Sequence, residues 1–346
     1  MARKVLLGMS GGVDSSVSAA LLLEQGYEVV GAFMKNWSNC QWRADKRDAA
    51  RVAAQLGIPF VTLDFEQQYR EDVVEYLFRE TEAGRTPNPD VMCNKFIKFN
   101  RFVRAADEWQ CDLIATGHYA QIKESLLHKA TDPNKDQTYF LWAINPSVLS
   151  RVLFPIGHLT KPDVRAKARA LCLPVADKKD STGICFVGEV SMPDFLRPRI
   201  PERAGDVLTT EGACVGSHRG VHFYTIGQRH GLGIGGGTPY YVVEKRAQSN
   251  ELIVSSNYHP RLYAQTLSAS SVNLFCPREQ LDAPLACTAR IRHRQPLQSC
   301  TAVIHGDTLH VQFEKPQRAV TPGQSVVLYL GEAVLGGGII SEAGQH

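Results

Sequence analysis

Over the first 190 or so residues, short apolar runs alternate with amphipathic stretches. Val5–Met9 reads as a strand, and Ser15–Gln25 as a helix that Gly26 stops. Glu28–Met34 is a second strand, Asp45–Leu56 a helix ended by Gly57, and Phe60–Phe65 a third strand. A 3.6-residue period then predicts helices over Tyr69–Thr81 and Phe96–Trp109. Asp112–Thr116 is a further strand, and Lys161–Leu171 a helix with Thr160 as N-cap and Pro162 in its first turn. This alternation predicts an α/β fold with a doubly wound, mostly parallel sheet over 1–192.

Beyond Pro193 the helical period disappears. Glycines gather at Gly231, Gly233 and Gly235–Gly237, and short β-rich runs appear, such as Tyr240–Glu244, Leu252–Ser255, Ala286–Ile291, Leu309–Phe313 and Ser325–Leu330. Their spacing predicts two small β-barrel-like domains, a central one over 193–265 and a C-terminal one over 266–346. There is no internal repeat.

Composition narrows the class. With 44% hydrophobic and 21% charged residues among 346, the chain has the make-up of a soluble globular protein. No apolar run of about 18 residues offers a membrane span. Met1-Ala2-Arg3-Lys4 leads directly into a strand, so a cytoplasmic location is expected. The formal charge of +3 is too small to indicate a nucleic-acid partner by itself. None of the nine cysteines forms a C-x-x-C pair, which argues against a zinc ribbon, a thioredoxin-type site or a cysteine-ligated iron–sulfur cluster.

The chemistry begins at Ser10-Gly11-Gly12-Val13-Asp14-Ser15-Ser16, between the first strand and the first helix. Two glycines allow a tight turn with backbone N–H groups turned towards an anion, and the helix N-terminus favours phosphate. Asp14 would repel phosphate unless a cation intervenes, so Mg2+ is expected there. This is not a Walker A loop, because no Lys-Ser/Thr follows the glycines. It resembles the S-G-G-x-D-S signature of the PP-loop ATP pyrophosphatases (adenine nucleotide alpha hydrolase-like), which split ATP into AMP and pyrophosphate to activate an oxygen.

Two cysteines have unusual settings. Cys93 follows Thr86-Pro87-Asn88-Pro89-Asp90, whose prolines are expected to postpone the helix to Phe96 and leave the thiol at a helix N-terminus beside Lys95, a setting for a thiolate. Cys185 lies in the polar stretch Lys178–Phe186, read as an exposed loop. No role is assigned to the other seven cysteines, and packing is expected to account for Cys111 and Cys172. Arg292, His293 and Arg294 are expected to alternate on a strand, with both arginines on one face.

With these motifs the chain resembles the tRNA-specific 2-thiouridylases. The similarity is carried in order by Gly8–Ser16, Phe33–Trp37, Asn88–Asn94, Thr116–Ala120, Lys135–Tyr139, Lys178–Phe186, Tyr224–Arg229 and Thr321–Gln324. It implies that Gly8, Met9, Ser10, Gly11, Gly12, Val13, Asp14, Ser15, Met34 and Gly117 line an ATP site. It implies that Cys185 receives sulfur as a persulfide from a carrier protein, and that Cys93 is a second catalytic cysteine able to pair with it. Asn88, Pro89 and Asp90 would meet the target wobble uridine, with Asp90 assisting proton transfer. His118, Lys135, Asp136, Gln137, Arg292, His293 and Gln324 would contact the tRNA. His118 also reads as a polar cap on a strand end. One departure from the family is the short stretch Ser38–Asp45, where relatives carry a longer acidic insert. Other PP-loop enzymes, such as a lysidine synthetase or an amidotransferase-type ligase, need neither cysteine, and an idle tRNA binder would release no AMP.

Overall fold

The computed structural model describes residues 2–38, 42–180, 191–235, 239–256 and 258–344. Cys40 and Cys185 lie outside the described residues.

Strands β1 (Lys4–Gly8), β2 (Glu28–Lys35), β3 (Phe60–Asp64) and β4 (Leu113–Thr116) belong to one parallel sheet with a later strand, Val152–Leu153. Its order places β1 between β2 and β4. A parallel sheet covered on both faces needs runs that are apolar throughout, and β1 is buried from Val5 to Gly8. Its residues serve the two faces in turn. Leu6 joins Val30, Ala32 and Met34 in one core with the helices over 66–108, while Val5 and Leu7 join Val29 and Phe33 in another with α1 (Val13–Glu24) and α2 (Trp42–Leu56). The doubly wound sheet expected from the alternation is the one observed.

One helix starts earlier than the prolines led us to expect. A helical run begins at Pro89 and reaches Glu108, with a π-helical stretch over Cys93–Arg101 that kinks at Phe99 (φ −118°, ψ 19°). Asn88 is its N-cap, its side-chain oxygen accepting from the N–H groups of Asp90 (3.2 Å) and Val91 (3.4 Å). Proline at the first helical position needs no N–H partner and has the right φ; Pro89 therefore starts the helix. Cys93 sits in the second turn and is 0% exposed, away from any helix N-terminus. π-Helical turns inside α-helices frequently mark functional positions.

A short hairpin follows, β5 (Gln121–Lys123) and β6 (Leu126–His128), and then β7 (Val152–Leu153), the edge strand of the parallel sheet. The central module is a four-stranded sheet of β8 (Gly205–Thr209), β9 (Cys214–His218), β10 (Tyr241–Arg246) and β11 (Glu251–Ser255). The last module comprises β12 (Tyr263–Leu274), β13 (Leu285–Arg290), β14 (Gln298–His305), β15 (Thr308–Arg318), β16 (Ser325–Leu330) and β17 (Ala333–Gly344). Pairing of β12 with β17 closes these six into a barrel. The first barrel strand begins at Tyr263, slightly ahead of the expected break near 265. β13 ends at Arg290 and Arg294 has φ +62°, so residues 292–294 form a turn and not the expected alternating strand.

The modules share packing. His128 of β6 pairs with Ala333 of β17, carrying the barrel sheet onto the catalytic domain. Phe275, Val327 and Tyr329 enter the same core as Tyr139 and Trp142. The Tyr139 hydroxyl donates to the carbonyls of Ile291 and Ser325, each at 3.1 Å.

Candidate active site

The phosphate loop lies where the carboxyl ends of β2, β1 and β4 meet, the position at which open α/β sheets bind ligands. A Cβ on Gly8 would come 3.0 Å from the Met34 methyl, and one on Gly117 would come 2.8 Å from the Ser15 nitrogen. Gly8, Met34, Gly117 and Ser15, distant in sequence, are thus one site. Gly11 has φ +75° and a Cβ there would strike the Asp45 backbone, so only glycine fits. α1 begins at Val13, inside the loop, with Gly12 as its N-cap. The Ser15 hydroxyl is within hydrogen-bond reach of Ser10, and that of Ser16 donates to the Gly12 carbonyl at 2.8 Å. Met9 and Val13 are buried and hold the loop by packing.

Further residues that the motif alone did not reveal surround this loop. Lys161 Nζ donates to both oxygens of Asp14, at 2.8 and 2.9 Å, and the Tyr119 hydroxyl donates to Asp14 Oδ1 at 2.8 Å. The cation that Asp14 requires is therefore already supplied by the protein. Lys161 also pairs with Asp180 at 2.7 Å, which in turn holds Lys135 at 2.6 Å and Arg165 at 2.9 Å. Partial burial opposes ionisation of Asp180, but hydrogen bonds from Lys135 and Lys161 pull its pKa down to about 2. Lys178 donates to the Gly11 carbonyl (3.0 Å), Asp45 (2.8 Å) and Asp48 (2.7 Å), clamping the loop to α2. In sequence, Lys161 was visible only as the start of a capped helix; the Thr160-Lys161-Pro162 turn aims it at the loop.

Mg2+ commonly uses one or two carboxylates together with phosphate oxygens and water. Asp14 could serve as a lone protein ligand only by exchanging its bonds to Lys161 for the metal, and no cluster of three acidic, histidine or cysteine side chains exists among the described residues.

Around Cys93, Asn88 and Asp90 are partly exposed and Pro89 is buried. Burial lowers the Lys95 pKa, and its ammonium lies 5.2 Å from the Phe96 ring centre. Asn94 donates to the Phe140 carbonyl at 3.0 Å, tying this helix to the segment after Gln137.

Most residues expected to touch tRNA make bonds within the protein. His118 is 7% exposed; burial and then the nearby Lys98 hold its pKa well below the usual value, and its Nδ1 lies 2.8 Å from the Thr116 hydroxyl. Lys135 is half-buried against Asp180. Asp136 is buried, accepting from Thr138 and forming a 2.7 Å ion pair with Arg290. Gln137 accepts from the Tyr119 N–H at 2.9 Å. Arg292 donates to the carbonyls of Ile226 and Ala319, both at 3.0 Å, joining the central module to the barrel. His293 packs 4.4 Å from the Phe140 ring, and burial followed by Arg294 brings its pKa to about 4. Gln324 donates to the Thr86 carbonyl at 2.8 Å, and the Thr86 N–H donates to the Pro322 carbonyl at 3.0 Å.

The structure therefore gathers two sets. Lys135 stands with the phosphate loop, while Gln324 anchors the strand of chain leading into Asn88–Asp90.

Residues 3–189 match the family model described as a tRNA methyl transferase HUP domain, 193–256 its PRC-barrel domain, and 264–340 an aminomethyltransferase β-barrel domain. The chain is 49% identical over 352 residues to a tRNA-specific 2-thiouridylase MnmA of Shouchella clausii, covering 98% of this chain and 96% of the relative. The chain belongs to the tRNA-specific 2-thiouridylase family. A Streptococcus sanguinis member is 48% identical, covering 98% of this chain and 95% of its own length, and a Geobacillus kaustophilus member 50%, covering 98% and 95%. In this family member the loop, Lys161 and Cys93 stand on one domain, and both β modules lean on the segment that precedes Asn88.

Proposed function

We infer that this protein is a tRNA-uridine 2-sulfurtransferase that spends ATP to replace the C2 oxygen of the wobble uridine with sulfur. Its membership of a 2-thiouridylase family, together with a glycine loop shaped for phosphate, carries this reading. Methyl transfer, which the matched domain descriptions name, needs no ATP-splitting loop, and the curated relatives are 2-thiouridylases.

Oxygen at C2 is a poor leaving group, so it first attacks the α-phosphate of ATP and pyrophosphate departs. The loop N–H groups and Lys161 stabilise the negative charge that develops there. Bound Mg2+, held by Asp14, would supply further charge neutralisation. The terminal sulfur of a Cys185 persulfide, delivered by a carrier protein, then attacks C2 and AMP leaves. The Cys93 thiolate attacks the Cys185 sulfur and expels 2-thiouridine. A Cys93–Cys185 disulfide remains, which takes two electrons from a thiol reductant to reset the enzyme. Cys185 lies outside the described residues, and its role rests on the family resemblance. The burial of Cys93 keeps its thiol from bulk oxidants until that step. Asp90 would assist proton transfer at the base, and a cytoplasmic location, where tRNA and carrier are available, suits the reaction.

Replacing Lys161 with Met separates charge stabilisation from mere scaffolding. We expect ATP and pyrophosphate to bind about tenfold or more weakly, a loss of roughly 1.4 kcal/mol or more, while AMP binding holds. Calorimetric titration showing equal losses for AMP and ATP would remove Lys161 from the phosphate site.

A further inference from the structure

A cleft of about 310 Å³ opens where the three modules meet, lined by Gly84 of the catalytic domain, Glu244 and Lys245 of β10, and Thr321 and Pro322 of the barrel. Lys245 is half-buried there, with its Nζ 3.4 Å from the Thr86 hydroxyl. Among the described residues it has no ion pair. Glu244, its neighbour, is occupied by Arg246 at 2.8 Å and Arg261 at 3.7 Å. A desolvated cation without a counter-charge is costly unless an anion completes it. Burial alone brings the Lys245 pKa down to about 8.

The location indicates which anion. Thr86 is held in place by Pro322 and Gln324, and the chain runs from it into the Asn88-capped turn, at most about 7 Å further on for two extended residues. From the uncompensated ammonium and its place in this cleft, we propose that Lys245 binds a backbone phosphate of the tRNA beside the target nucleotide. The inference rests on the reading of the protein as a tRNA-modifying enzyme. Such a contact positions the RNA without reading its sequence.

The test uses the full-length protein and an unmodified tRNA transcript with uridine at the wobble position. Affinity is measured against salt for wild type, Lys245→Met and Lys245→Arg. Lys245→Met removes an uncompensated charge and so should fold; its melting temperature checks this. We expect it to weaken binding about threefold or more and to reduce the slope of log affinity against log salt by about one unit, with Lys245→Arg retaining both.

A second readout is pH. The wild-type affinity should fall as pH rises through about 8, because the free lysine loses its proton there, whereas Lys245→Arg should stay level. Glu244, Arg261 and Tyr263, the other titratable groups in the lining, are shared by all three proteins. An unchanged salt slope in Lys245→Met, or the same pH profile in Lys245→Arg, would overturn the proposal. In a separate arm, loss of inorganic phosphate or pyrophosphate binding with an unchanged tRNA slope would assign the site to a free anion and equally overturn it. If wild type itself fails to bind the transcript, the fault lies with the functional reading and not with Lys245.

Discussion

Asp180 illustrates how a single carboxylate organises the catalytic face. Lys135, Lys161 and Arg165 converge on it, and its pKa of about 2 lies below the 3.8 of an unperturbed aspartate. A carboxyl lowered on folding stabilises the protein above its unfolded pKa, and that contribution is lost as pH falls towards the folded value. The stability of wild type should therefore decline between about pH 4 and 2 by an amount that Asp180→Asn does not show, as denaturant titrations at each pH would reveal; parallel curves would contradict the assignment. The glycine turn of Ser10–Ser16 and the helix after it were legible in sequence because their determinants are local. Lys161, Lys178 and Asp180 did not stand out because their meaning depends on the packing of distant helices. Cys93 was misplaced locally for a similar reason: its setting is decided by where the helix begins.

At the level of elements, the run over 89–108 and the end of β4 do most of the positioning. Asn88 and Pro89 start the helix that carries Cys93 into the core, an outcome the proline pair obscured because proline both excludes and initiates helices. The glycine after β4 sets the distance between that strand and α1. Gly117→Ala places a methyl 2.8 Å from the Ser15 nitrogen, where backbone must move. We expect ATP affinity to drop about tenfold, roughly 1.4 kcal/mol, with the melting curve changed far less; calorimetry and thermal unfolding on the same sample decide this. Undiminished ATP binding would mean that the loop does not need its present geometry. The strands over 263–274, 298–305 and 333–344 escaped sequence reading because serine, threonine, glutamine and glycine break their apolar alternation.

Across the whole molecule, the two β modules act as supports for the catalytic domain. Arg292 links the central module to the barrel, the buried Asp136–Arg290 pair links the barrel to the catalytic domain, and Gln324 pins Thr86. Asp136→Asn leaves Arg290 buried without its counter-charge and should cost about 3–5 kcal/mol of stability, measurable by denaturant unfolding; a change near zero would show that the pair is not needed to join the modules. Gln324→Ala should leave ATP binding intact while lowering thiolation and speeding amide exchange over residues 84–90; unchanged exchange there would contradict its role as an anchor. The alternation of strands and helices revealed the catalytic domain in advance, whereas these contacts between modules have no signature in sequence. On the function proposed, ATP activation and two cysteines together place sulfur on a tRNA uridine. Nucleoside mass spectrometry of tRNA incubated with the protein, ATP, Mg2+ and a persulfide donor tests it most directly, alongside Cys93→Ala and Cys185→Ala. The prediction is 2-thiouridine only when ATP and both cysteines are present; 2-thiouridine formed without ATP, or by the Cys185→Ala protein, would contradict it.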